Sequence, residues 1–210
     1  CAAGFCYDAR MLLFSLATHF ALGAIVASFV GVVVARLYTG QSFLAGRSCC
    51  DACNALLSPL SLLPLISYVA SRGRARCCGA LLSPLSPLME LLLGGLFVLT
   101  YSKLGLTSAF PFFLISLSVL LALVLYDLLH HILPPLLLTA FVAAAATTGF
   151  VSAPSLTVFW STFLFASLIA TSLALIHFFS RGRAMGLADT PLVFGLALLV
   201  GPLALSGFIL

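Results

Sequence analysis

Six long apolar runs separated by short polar turns and one loop leave this chain a single practical solvent, a lipid bilayer. They extend over Leu12–Ala35, Leu85–Tyr101, Phe110–Leu129, Leu136–Phe150, Leu156–Phe179 and Pro191–Leu210. A helix needs about 20 apolar residues to cross the hydrocarbon layer, and each run is of that order. In a bilayer every backbone polar group must be satisfied internally, so only helices and closed barrels cross it. Barrel strands alternate apolar and polar residues over about ten positions, whereas these Leu, Ala, Val and Phe runs are continuous. The expected fold is therefore all-α, a polytopic membrane protein of six transmembrane helices, read as one integral domain over residues 1–210.

Composition agrees: only 7% of residues are charged and 63% are hydrophobic. The net charge of +4 does not point to nucleic acid, because the basic residues are scattered between apolar runs rather than gathered in one tract. They read as topology signals. With the N-terminus outside, Arg36, Arg47, Arg72, Arg74, Arg76, Arg181 and Arg183 fall on the cytoplasmic side, against Arg10 and Lys103 outside. That orientation places the loop 36–84 in the cytoplasm and the membrane bundle 85–210 beyond it. Within the loop, the Pro-interrupted stretch Ala55–Ala70 is too short for a span and is expected at the interface or against the bundle. The sequence starts at Cys1 and ends in an apolar run, so neither end speaks for or against a signal peptide.

Two of the five carboxylates, Asp127 and Asp189, stand at the inner ends of apolar spans. An ionisable group at membrane depth is costly and marks function by default. The arginine count places both on the same side at similar depth, where two carboxylates can share one proton and activate a water. The structural alternative is helix capping, for which Asp is well suited, Asp189 preceding Pro191 by two positions. Gly186 and Ala188, just before Asp189, are small enough to admit a substrate strand or a neighbouring helix. A transporter or a non-catalytic scaffold would also hold carboxylates in a bundle, but no internal repeat of the transporter kind is evident.

The loop carries Cys49, Cys50, Cys53, Cys77 and Cys78 among arginines. Reduced thiols or a metal account for such a cluster better than a secreted disulfide framework.

Several segments, in order, resemble the prepilin peptidases, the type IV leader peptidase family of intramembrane aspartic peptidases with a Gly-x-Gly-Asp motif. These are Ser28-Phe29-Val30-Gly31-Val32-Val33 with Arg36-Leu37, the Cys50-x-x-Cys53 pair, Leu63-Pro64-Leu65-Ile66-Ser67-Tyr68, Arg72-Gly73-Arg74 leading to Cys78-Gly79, and Ser83-Pro84-Leu85-Ser86-Pro87-Leu88-Met89-Glu90-Leu91. Asp127-Leu128 with Ile132-Leu133-Pro134, and Gly186-Leu187-Ala188-Asp189, resemble the two catalytic blocks.

The resemblance implies that Asp127 and Asp189 are the catalytic pair of an endopeptidase in a bacterial inner membrane. It would cut the leader from type IV prepilins or pseudopilins at the cytoplasmic face. The resemblance also implies N-methylation of the new N-terminus with S-adenosylmethionine, and a supporting role for Glu90 in methyl transfer or substrate binding. A first-turn carboxylate favoured by the helix dipole is the structural alternative for Glu90. The family's paired Cys-x-x-Cys pattern implies zinc, yet Ala75 stands where one cysteine is expected. Cys50, Cys53 and Cys78 would then need Cys77 or Cys49 as fourth ligand, although adjacent cysteines usually point apart.

Overall fold

The computed structural model describes residues 2–39, 50, 52–53, 55–56, 65–181, 183 and 186–201. Cys49, Arg47, Pro59 and Pro64 lie outside these residues. Seven helices are present among them: α1 (Ala2–Arg36), α2 (Ile66–Ala70), α3 (Leu85–Leu104), α4 (Phe110–His130), α5 (Pro135–Ser152), α6 (Leu156–Phe179) and α7 (Asp189–Val200). No named strand occurs among the described residues, and α1, α3, α4, α5 and α6 are long and apolar enough to cross a membrane. The chain is a multi-pass, all-helical membrane protein. The sixth expected span begins as α7, two residues ahead of Pro191; residues 202–210 lie outside the described set.

Helix starts follow local chemistry. Ser155 accepts a hydrogen bond from the Val158 N–H at the start of α6, and Pro134-Pro135 opens α5, where proline's missing N–H costs nothing. His131 closes α4 in the left-handed conformation at φ 54°, donating its N–H to the Asp127 carbonyl at 2.7 Å.

The chain divides into two compact units, 1–103 and 104–210. In the first, α1 and α3 approach closely at a pair of glycines. A Cβ on Gly23 would lie 2.7 Å from the Gly94 Cα and 2.8 Å from the Leu93 carbonyl oxygen, both backbone atoms that cannot give way. Nearby, the His19 and Tyr101 rings stack at 4.1 Å. Small residues at a contact let helices pack backbone to backbone in lipid. Gly23→Ala is therefore expected to destabilise the protein by about 1–3 kcal/mol, the usual cost of overpacking. Gly95→Ala, with open space at that position, should leave the thermal unfolding midpoint in detergent unchanged. Equal midpoints for the two variants would refute this packing.

In the second unit, α4 packs on α5, and α7 packs against both α5 and α6. One cluster joins Ala145, Ala166, Ala197 and Leu198, with Phe163 and Phe194 edge to face at 5.5 Å. A second gathers Leu123 of α4, Leu138 and Phe141 of α5, Ala188 just before α7, and Leu192 and Leu196 within it. Phe141 is fully buried, and a Cβ on Gly195 would fall 2.6 Å from its ring, so the absent side chain is what lets α7 close on α5. Ser116 and Thr148 bond each other at 2.8 Å in the buried seam of α4 and α5.

Candidate functional site

Asp127 occupies the last turn of α4 with its side chain exposed. The negative end of the helix dipole lies there, so a carboxylate gains nothing from helix electrostatics. The capping alternative raised by the sequence does not account for this residue. Leu123, one turn earlier on the same helix, is buried against Phe141.

Asp189 is the first residue of α7 and half-buried. Its Oδ2 accepts the Gly186 N–H at 3.1 Å, while its own N–H bonds the Gly186 carbonyl at 3.3 Å. Here a turn-stabilising role is realised, and Gly186 matters because a Cβ would stand 3.3 Å from that same Oδ2. Ala188, the N-cap residue, packs into the Phe141 cluster. The chain ends that carry the two carboxylates thus share one apolar anchor, Phe141 with Leu123 and Ala188. Among the described residues the two carboxylates make no hydrogen bond with each other. Beside Asp127, the Tyr126 and His130 rings lie 4.4 Å apart.

In the first unit the sulfur atoms of Cys50, Cys53, Cys77 and Cys78 all lie within 4.8 Å of one another. Cys53 donates to the Cys77 sulfur at 3.3 Å, and the Cys50–Cys78 and Cys77–Cys78 separations are both 3.8 Å. The adjacent pair Cys77 and Cys78 therefore turns toward one centre, contrary to the sequence expectation. The reason is the tight turn around them. Arg74 and Leu81 form an antiparallel bridge, the Ala75 N–H bonds the Ala80 carbonyl at 2.8 Å and the Gly79 N–H returns to the Ala75 carbonyl at 2.7 Å. Gly79 sits at φ 72°, a conformation that favours glycine.

These four sulfurs fit a tetrahedral metal. With metal–sulfur bonds of about 2.3 Å, tetrahedral zinc separates its sulfurs by about 3.8 Å. Backbone hydrogen bonds from Ala52 and Cys53, with Cys77 next, pull the Cys50 thiol down to about 7 from 9.0. Hydrogen bonds shared with the Cys53 and Cys50 sulfurs push Cys77 up to about 12. The two thiols are shifted in opposite directions, and a metal bound by thiolates must displace the proton that Cys77 holds.

Glu90 lies in the second turn of α3, not the first, so the dipole explanation does not apply. It is 5% exposed, accepts the Leu65 N–H at 2.7 Å and the Ser86 hydroxyl at 3.5 Å, and is faced by Ser28 of α1. Leu65 has φ 55°, a strained conformation for a residue with a Cβ, and the buried carboxylate holds it there. Three segments far apart in sequence converge on this one side chain. Sequence reasoning read Ser28 and Leu65 only as parts of motifs. Their signal as partners of Glu90 was that each stands in a segment of the same resemblance.

Residues 21–104 match the family model described as the bacterial peptidase A24 N-terminal domain. A curated relative, the prepilin leader peptidase/N-methyltransferase of Myxococcus xanthus (strain DK1622), is 35% identical over 115 residues, which is 55% of this chain and 34% of that protein. Over the matched stretch this chain is similar to the prepilin peptidases. The family-model match holds Ser28, the cysteine quartet and Glu90, and it ends before Asp127. The chain spans about a third of the length of the relative it matches. No solved structure matches it.

Proposed function

We propose that this chain is an intramembrane aspartic endopeptidase that removes the leader from type IV prepilins or pseudopilins at the cytoplasmic face of a bacterial inner membrane. Asp127 and Asp189 are its carboxylate pair. The observation that carries this reading is the shared anchor in the second unit: Leu123 and Ala188, which precede the two carboxylates, pack in one cluster around Phe141. The family match in the first unit supports the same reading from independent residues.

The chemistry asks little more of the chain. The ionised carboxylate takes a proton from water as the water oxygen bonds the scissile carbonyl carbon, and the protonated partner hydrogen-bonds the carbonyl oxygen where negative charge develops. Breaking the C–N bond then requires a proton on the leaving amine, which the first carboxylate returns. Gly186 and Ala188 keep the approach to Asp189 open, the first by leaving Oδ2 uncrowded and the second by presenting only a methyl group.

The proposal extends to zinc on Cys50, Cys53, Cys77 and Cys78, supported by the convergence of their sulfurs. The metal would supply a structural cross-link closing the loop. It also extends to methylation of the new amine, for which S-adenosylmethionine is the donor, with Glu90 holding the Ser28 and Leu65 segments in register. Incubating the purified chain with a prepilin and weighing the products reads both activities. Leader loss is expected, with a further 14 Da on the mature N-terminus in the presence of the donor, about the mass a methyl adds. An intact prepilin after prolonged incubation with well-folded protein would remove the peptidase reading.

A further inference from the structure

Residues 65–82 are tied at two points to the segment that becomes α3. The Leu65 N–H bonds Glu90 Oε2 at 2.7 Å, and the Leu82 N–H bonds the Gly73 carbonyl at 2.8 Å. α3 runs 20 residues from Leu85 to Leu104, which at about 1.5 Å per residue just matches the hydrocarbon layer of about 30 Å, with no length to spare. Glu90 stands inside the second turn, so the first tie holds Leu65 about 7 Å below the helix start. Leu82 comes shortly before Leu85, so the second tie holds Gly73 beside a residue no more than about 11 Å from that start. The stretch between the ties therefore lies at the boundary of acyl chains and headgroups. What it carries suits that place. α2 has no buried residue; Ile66 and Val69, one turn apart on it, are 65% and 73% exposed, and Leu81 is 83% exposed. Arg72, Arg74 and Arg76 are exposed as well and alternate with buried Gly73 and Ala75. No Asp or Glu occurs in the sequence from residue 52 to residue 89.

Exposed apolar side chains rimmed by basic ones mark a surface that meets a membrane or a protein. The two ties choose between them, because a partner in water does not reach side chains seated at the headgroup boundary. We propose that residues 65–82 dock on the leaflet in which α3 begins, with Ile66, Val69 and Leu81 entering the acyl-chain boundary and Arg72, Arg74 and Arg76 binding the phosphate groups of anionic lipids. Juxtamembrane arginines are attracted to an anionic leaflet, and their aliphatic stems lie well along the same apolar boundary. Cys77 and Cys78 follow Arg76 directly, so docking also holds the cysteine cluster against the surface. It requires only that α3 spans the bilayer and is independent of the peptidase reading.

The test is photo-crosslinking of the full chain in mixed phosphatidylcholine and phosphatidylglycerol vesicles, with a benzophenone-bearing amino acid at Val69 and the adducts weighed by mass spectrometry. Phospholipid adducts are expected, with phosphatidylglycerol over-represented by about fivefold or more against its share of the vesicle, the attraction that one engaged arginine supplies. Combining Arg72→Gln, Arg74→Gln and Arg76→Gln should abolish that preference while lipid adducts persist. The same three positions changed to Lys should keep it, which separates charge from a merely structural loss. An adduct to residues 104–210, to a second copy or to no partner at all overturns the docking. Lipid adducts that mirror the vesicle's composition overturn the role of the arginines, and the unsubstituted chain decides that point by itself if the glutamine variant does not fold.

Discussion

Asp127→Asn and Asp189→Asn are each expected to reduce leader cleavage by about 10³-fold or more while the protein stays folded and inserted, as for loss of a group acting in general acid–base catalysis. An amide has nearly the size of a carboxylate but cannot take a proton from the attacking water. Folding should survive for different reasons at the two positions. The Asp127 side chain is exposed and makes no hydrogen bond among the described residues, so its replacement breaks none there. The amide oxygen introduced by Asp189→Asn can still accept the Gly186 N–H that Asp189 Oδ2 accepts now. The double variant should be little worse than either single one, because a pair acting as a unit has nothing left to lose after the first substitution. Capping predicts the opposite, since Asn caps nearly as well as Asp. A cleavage assay in which Asp189→Asn remained close to full rate would leave only the turn-stabilising role for that residue.

The second large effect is expected at the cysteine quartet. Purified protein should carry one zinc per chain, and Cys50→Ser and Cys53→Ser should each lose it, with a lower thermal midpoint and with prepilin cleavage retained by whatever fraction stays folded. Zinc binding must displace the proton held on Cys77, whose thiol is pushed up to about 12, so affinity should rise with pH. Acidification should release the metal, most steeply once the Cys50 thiolate, lowered to about 7, takes up its own proton. Metal analysis across pH 5 to about 8, paired with thiol counting by mass, checks both the stoichiometry and the sign. A metal-free protein whose cysteines are reduced, and whose stability is indifferent to Cys53→Ser, would reduce the cluster to tolerated thiols.

Much of the fold was legible in the chain because a bilayer admits so few solutions. Continuous apolar runs of span length, with no alternation, dictate helices, and the positions of α3, α4, α5 and α6 follow the sequence runs to within a few residues. The same solvent argument isolates Asp127 and Asp189, since carboxylates are so costly at the ends of apolar spans that few are tolerated there. Motif order was legible too, because it is a property of the chain itself.

What remained for tertiary structure were properties of pairs and turns. Whether Cys77 and Cys78 face one centre depends on the turn closed by Ala75 and Ala80, and no rule of spacing conveys it. Glu90 needed the Leu65 N–H and the side of α1 that bears Ser28 before it could be seen as a buried tie rather than a first-turn charge. The approach of α7 to α5 turns on a missing Cβ at Gly195 meeting one ring, Phe141. Thr190 looks like any helix-start threonine until its buried hydroxyl oxygen is seen to have no partner among the described residues. Hydrophobic periodicity specifies which segments leave water, because transfer free energy adds residue by residue. Which side chains then meet, and which polar atom is left without a partner, is decided by close packing among segments distant in sequence, and that information exists only in three dimensions.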